Sequence, residues 1–249
     1  SHSSIFTHCI CDRIVEIYDG NFVLSDTQLN ANGVDSIDGI EIVNMTAGNS
    51  NNLINASGAT SIDTIINSQV GNDTVRGSAA KDIINAGADD DVVIANGGND
   101  NIKGDTGNDS LNGGAGDDTL VGAAGNDTIV GGSGFDLLIE SGNSDFTLTN
   151  NSLVGNGADS LTAIQQVNLT SGNSSNLIDA SAVTTINKTF LSGGAGDDTI
   201  LGGAKQDTLV GDAGNDLLEG GDLRDVLYGS TGNDSLMGMS GNDVLRGED

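Results

Sequence analysis

Eight aspartates, Asp73, Asp82, Asp91, Asp100, Asp109, Asp118, Asp127 and Asp136, follow one another at intervals of nine residues, and Asp198, Asp207, Asp216, Asp225, Asp234 and Asp243 repeat the interval further on. Glycines recur five and two residues before them: Gly104 and Gly107, Gly113 and Gly116, Gly122 and Gly125, Gly131 and Gly134, then Gly193 and Gly196, Gly211 and Gly214, Gly229 and Gly232. Glycine admits positive φ and so lets a turn aim its carbonyls inward. A turn of this kind, closed by an Asp, offers hard oxygen ligands and no sulfur or imidazole, a donor set that suits calcium rather than a soft metal. The candidate calcium ligands are these glycine turns with Asp73, Asp91, Asp100, Asp109, Asp118, Asp127, Asp136, Asp198, Asp216, Asp234 and Asp243.

Written out, the central stretch Gly104–Val130 is GDTGNDSLN, GGAGDDTLV, GAAGNDTIV. Each nonapeptide has the form G-G-x-G-x-D-x-U-x, with U a large aliphatic residue. This resembles the calcium-binding repeat of the RTX (repeats-in-toxin) family. The resemblance implies an all-β fold, a right-handed parallel β-roll or β-solenoid, in which two nonapeptides make one 18-residue coil. In each x-U-x tripeptide the aliphatic side chain points to one face and its neighbours to the other. The inward row is Val75, Ile84, Val93, Ile102, Leu111, Leu120, Ile129 and Leu138, and in the second array Ile200, Leu209, Leu218, Leu227, Leu236 and Leu245. Turns on one side stack about 4.8 Å apart, where two carboxylates repel by about 1 kcal/mol even in water. A calcium ion between them reverses that sign, so the fold is expected to depend on the metal.

Composition agrees. The chain carries 36 acidic and 8 basic residues, a net charge of −28, with 38 glycines, no proline and no tryptophan. Such acidity with few aromatics usually marks disorder, and the kept period argues instead for a chain that folds when calcium arrives. There is no basic surface for nucleic acid and no apolar run long enough for a membrane-spanning helix.

The arrays alternate with less regular stretches. Phe22–Ser57 and Phe146–Ser181 are copies offset by 124 residues, so the chain holds two tandem copies of one plan. The expected organisation is 1–15 as the end of a turn array or an assembly segment, 16–67 as an irregular β-solenoid spacer, 68–139 as a first roll array, 140–192 as a second spacer and 193–249 as a second array. The spacers, with alternation as in FTLT and QVNLT, are expected to form wider coils stacked on the rolls. His2, His8, Cys9 and Cys11 fall in the first eleven residues; a transition-metal site there is a weaker reading than a simple terminal segment. Asp38 and Glu41 look like a catalytic pair until the second copy shows Thr162 and Gln165 in their place.

Some turns depart from the pattern: GSAAKD before Asp82, GGAKQD before Asp207 and GGDLRD before Asp225, while Asp89 replaces a glycine in turn 86–91. Lys205 and Arg224 stand either as counter-charges replacing calcium beside Asp207 and Asp225 or as solvated side chains. No nucleophile elbow, zinc-helix motif or phosphate-loop lysine is present, and the chain is expected not to be an enzyme. Two functions remain: an extracellular, calcium-stiffened structural element of a fibre, sheath or surface layer, or a calcium-dependent folding and secretion module of a larger secreted enzyme, toxin or adhesin. Residues 247–249 followed by residues 1–15 complete two nonapeptides, GEDSHSSIF and THCICDRIV. The expected partner is therefore a second copy stacked head to tail or a tandem neighbour.

Overall fold

The structure is a computed structural model and describes residues 13–30, 34–36 and 39–248. The terminal histidines and cysteines, Ile5, Asp12, Asp38 and Asp249 lie outside the described residues. The chain divides into two compact units, Ser1–Asp136 and Leu137–Asp249. Each is a β-solenoid built of short strands, with no helix among the described residues.

In the first unit one parallel sheet runs in the order Arg13–Ile17, Ile42–Thr46, Asp63–Asn67, Asp82–Ala88, Asn101–Thr106, Thr119–Ala124. The other runs Thr128–Ser133, Ser110–Ala115, Val92–Ile94, Thr74–Arg76, Leu53–Gly58, Phe22–Ser25. Because successive strands alternate between the sheets, each coil takes 18 residues, as in the pairing of Leu111 with Ile129 or Ile102 with Leu120. The aliphatic row from Val75 to Ile129 is at most 1% exposed and lines the interior between the two sheets. The alternation of strand side chains puts its neighbours outside.

The second unit repeats the arrangement. One sheet orders Leu137–Ser141, Gln166–Thr170, Lys188–Ser192, Thr208–Ala213, Val226–Thr231, Val244–Arg246; the other orders Ser235–Ser240, Leu217–Asp222, Thr199–Leu201, Leu177–Asp179, Phe146–Leu148. Ile200, Leu209, Leu218 and Leu227 are fully buried, whereas Leu245 is 45% exposed.

The spacers do supply coil strands, and they also do something the apolar alternation does not reveal. Phe22–Ser25 folds back antiparallel on Gln28–Asn30, which pairs antiparallel with Val34–Ser36. Phe146–Leu148, Ser152–Val154 and Ala158–Thr162 make the same meander in the second unit. The extra chain stays in the sheet as an antiparallel meander whose Leu29, Leu153 and Leu161 are buried, turned by short polar loops in which Ser25 and Thr149 side chains bond to residues three further on. Phe22 and Phe146, 124 residues apart, are both fully buried on the first strand of the meander.

Candidate metal centre

Numbering each nonapeptide so that the periodic Asp is position six, positions two and four carry the left-handed backbone. Position four lies at φ values such as 143° at Gly107, 142° at Gly125 and 146° at Gly214, a region only glycine occupies comfortably. Position two lies at 105° and 118° where Gly114 and Gly132 fill it, and at 70–74° where Asp105, Ala123 and Asp212 do. The position-one glycines were expected to share this conformation and do not. Their lack of a Cβ gives room instead: a methyl on Gly113 would crowd Asp118 Oδ2 and come within 2.7 Å of the Gly131 carbonyl, and one on Gly211 would do the same to Asp216 Oδ2 and the Gly229 carbonyl. A carboxylate oxygen and a carbonyl oxygen from the next coil thus converge on one small space. Ser68, Ala86 and Ala95 hold position one in three turns of the first unit.

The aspartates form columns. One oxygen of each accepts the backbone N–H of the position-six residue one coil earlier, at 2.7–3.0 Å: Asp73 to Asp91 to Asp109 to Asp127 along one edge of the first unit, and Asp82 to Asp100 to Asp118 to Asp136 along the other. The second unit has Asp198 to Asp216 to Asp234 and Asp207 to Asp225 to Asp243. The remaining oxygen of Asp73, Asp91, Asp100, Asp109, Asp118, Asp198, Asp216, Asp225 and Asp234 is shut off from solvent with no hydrogen-bond donor.

A buried carboxylate oxygen without a donor is costly when charged. Burial, reinforced by neighbouring carboxylates and opposed by the N–H bond, pushes Asp91 and Asp100 up to about 7 and Asp73, Asp109, Asp216 and Asp225 up to about 6. The same burial raises Asp118, Asp127, Asp136 and Asp198. A cation removes the penalty without protonation. Among the described residues no three His, Cys, Asp or Glu side chains converge, so the coordination must draw largely on carbonyls. Calcium, with six to eight oxygen ligands in flexible geometry, fits such a seat.

Two columns start on a different footing. Asp82 Oδ1 accepts the Thr64 hydroxyl at 2.6 Å and the Ser78 hydroxyl at 2.9 Å, and its Oδ2 accepts the Ser78 N–H at 2.8 Å. Asp207 is held alike by the Thr189 hydroxyl at 2.8 Å and the Gly203 N–H at 2.8 Å. Both carboxylates are fully satisfied, and positions two and four of their turns are not left-handed. No ion pair joins Lys205 or Arg224 to Asp207 or Asp225. The counter-charge reading of Lys205 and Arg224 therefore falls.

Asp225 shares the condition of the candidate ligands although its turn departs from the motif. Leu223 takes the left-handed conformation at φ 68°, Gly220 and Gly221 keep their places, and Asp225 Oδ2 is orphaned like the others. Asp91 is orphaned too, although Asp89 replaces its position-four glycine; Asp89 Oδ2 accepts the Gly71 N–H at 3.2 Å. Asp243, a candidate ligand, accepts the Asp225 N–H at 3.0 Å and is half-buried. Position five carries a second, exposed ladder that the motif leaves as an arbitrary residue: Asn126 N–H bonds to Asn108 Oδ1 at 3.0 Å, Asn108 N–H to Asp90 Oδ1 at 2.7 Å, and Asn233 N–H to Asn215 Oδ1 at 3.0 Å.

Parallel solenoid units edged by columns of half-satisfied, buried carboxylates define a repeat protein that takes up hard cations along its turns. Four segments, residues 69–102, 103–138, 192–227 and 219–249, match the RTX calcium-binding nonapeptide repeat and together cover just over half of the chain. The chain belongs to this family, and its repeats bind calcium, several ions per chain. Comparison with curated proteins finds none that matches.

Proposed function

We propose that the chain is an extracellular structural element in which calcium is the cross-link between successive coils. The observation that carries this reading is the repetition of one orphaned, buried Asp oxygen along both edges of each unit. The ions would be held by Asp73, Asp91, Asp100, Asp109, Asp118, Asp127, Asp136, Asp198, Asp216, Asp234 and Asp243, joined by Asp225, with the carbonyls of the glycine turns. These carboxylates are tied into ladders and do no chemistry, so the chain acts as a scaffold and not as an enzyme. RTX repeat proteins are typically secreted, and weak calcium modules fill where calcium is abundant, outside the cell.

Self-association belongs to the same reading. Arg13–Ile17 pairs with Ile42–Thr46 in the register that Leu137–Ser141 uses with Gln166–Thr170, which supports counting residues 13–15 as part of a coil. Val15 and Ile17 on that strand are 47% and 68% exposed. A parallel edge of this kind is a template for another strand, and an unclosed heterologous contact generates filaments. Electron microscopy and light scattering of the 249-residue chain in calcium test it: rods that lengthen with concentration support the structural role. A calcium-loaded chain that stays monomeric at high concentration favours the alternative, a calcium-dependent folding module of a larger secreted protein.

A further inference from the structure

One aspartate column of the second unit extends beyond its first aspartate. The Asn176 N–H donates to Asp198 Oδ1 at 2.7 Å, just as the Asp198 N–H donates to Asp216 Oδ1 at 2.8 Å. Leu177, Ile178 and Asp179 pair in parallel register with Thr199, Ile200 and Leu201, and Ile178 is fully buried in the aliphatic row. The Ala195 N–H donates to the Gly172 carbonyl at 2.9 Å as the Ala213 N–H donates to that of Gly194 at 2.8 Å. Ser175 Oγ accepts the Asp197 N–H at 3.0 Å and so continues the position-five ladder. Ser171–Asp179, SGNSSNLID, is therefore a nonapeptide with Asn176 at position six. The nine-residue count hides it because 22 residues, not 18, separate Asn176 from Asp198.

Asn176 is 8% exposed, and its Oδ1 is buried with no hydrogen-bond partner. Asp198 Oδ2, on the next rung, is in the same condition. Two successive rungs thus present acceptors with no donor. A side-chain amide oxygen is an ordinary calcium ligand. The position-one residue Ser171 donates its hydroxyl to the Gly193 carbonyl and keeps its own lone pairs. The other column of the unit shows what a closed start looks like, since there Thr189 supplies a hydroxyl donor to Asp207. The first unit differs as well: Asn52 N–H donates to Asp73 at 2.6 Å, but Asn52 Oδ1 already accepts the Gly48 N–H at 3.3 Å.

We propose that Asn176, which lies outside the segments that match the family repeat, is a calcium ligand and that, with Asp198, it forms one more site at the head of this column. The test is the number of calcium ions held by the full chain, counted by native mass spectrometry and titrated calorimetrically. Asn176→Thr copies the closed start at Thr189, so it should stay folded in calcium by circular dichroism and hold one ion fewer. Asn176→Asp should keep the count and tighten one site by about tenfold or more through the added charge. Asn52→Thr should leave the count unchanged. A folded N176T variant with the wild-type count overturns the proposal. So does an N176D variant with wild-type affinities, the decisive reading if N176T does not fold. A wild-type chain that binds no calcium at all would instead overturn the reading of every site.

Discussion

Protons and calcium should compete for the same columns. The perturbation is a shift from pH 7.5 to pH 5 with calcium chelated. Burial, with neighbouring carboxylates second, raises Asp91 and Asp100 to about 7 and Asp73, Asp109, Asp216 and Asp225 to about 6 in the folded chain. An unfolded Asp titrates near 3.9. The folded form therefore binds more protons than the unfolded form between these values, and its stability falls as pH rises. The metal-free fold is favoured at pH 5 and lost as pH climbs through 6 to 7. Treating the six groups as independent, the folded chain takes up about five protons between pH 7.5 and pH 5. By the same count, calcium should displace about two to three protons at pH 6.5 and fewer than one at pH 7.5. Far-ultraviolet circular dichroism of the chelated chain across this range reads the first effect. Calcium calorimetry in two buffers of different ionisation enthalpy reads the second. A chelated chain with no more β-structure at pH 5 than at pH 7.5, or calcium binding that releases no protons at pH 6.5, would refute the argument.

Other substitutions separate the parts of the design. Gly125→Ala puts a Cβ against the Gly107 carbonyl at a φ of 142°, and thermal unfolding in calcium should show a loss of at least about 1–3 kcal/mol. Thr64→Val or Thr189→Val removes the hydroxyl that bonds to Asp82 or Asp207. Each should cost about 1.5–3 kcal/mol in a denaturant titration, with the number of bound calcium ions unchanged. Lys205→Ala and Arg224→Ala break no ion pair and should stay within about 0.5 kcal/mol of wild type in the same titration.

The periodic rows were legible because their cause is local. An inward aliphatic residue at position eight and an Asp at position six must recur every nine residues if coils of two turns are to stack, and they do so from Asp73 to Leu138 and again from Asp198 to Leu245. Asn52 and Asn176 escaped the count because an insertion separates them from the next rung and an amide replaces the carboxylate, although AGNSNNLIN and SGNSSNLID carry the other positions. The antiparallel meanders escaped because the apolar alternation of FTLT reads the same in a parallel coil and in an antiparallel pair. Leu223 and Arg224 break the motif before Asp225, yet Leu223 keeps the left-handed turn and Asp225 Oδ2 is orphaned like its neighbours. The closed state of Asp82 and Asp207 depends on Thr64 and Thr189, 18 residues earlier, in segments where no nonapeptide is visible.

The central claim is that calcium satisfies carboxylate oxygens which the folded chain otherwise buries without a donor. The measurement that reaches it most directly is a calcium titration of the chelated chain at pH 7.5 and low ionic strength, followed by circular dichroism, with magnesium as the control ion. The account predicts a largely unordered chain that gains its β-spectrum cooperatively with calcium and much less with magnesium, which demands a rigid octahedral shell and dehydrates reluctantly. A full β-spectrum in chelator, unchanged by added calcium, would contradict it.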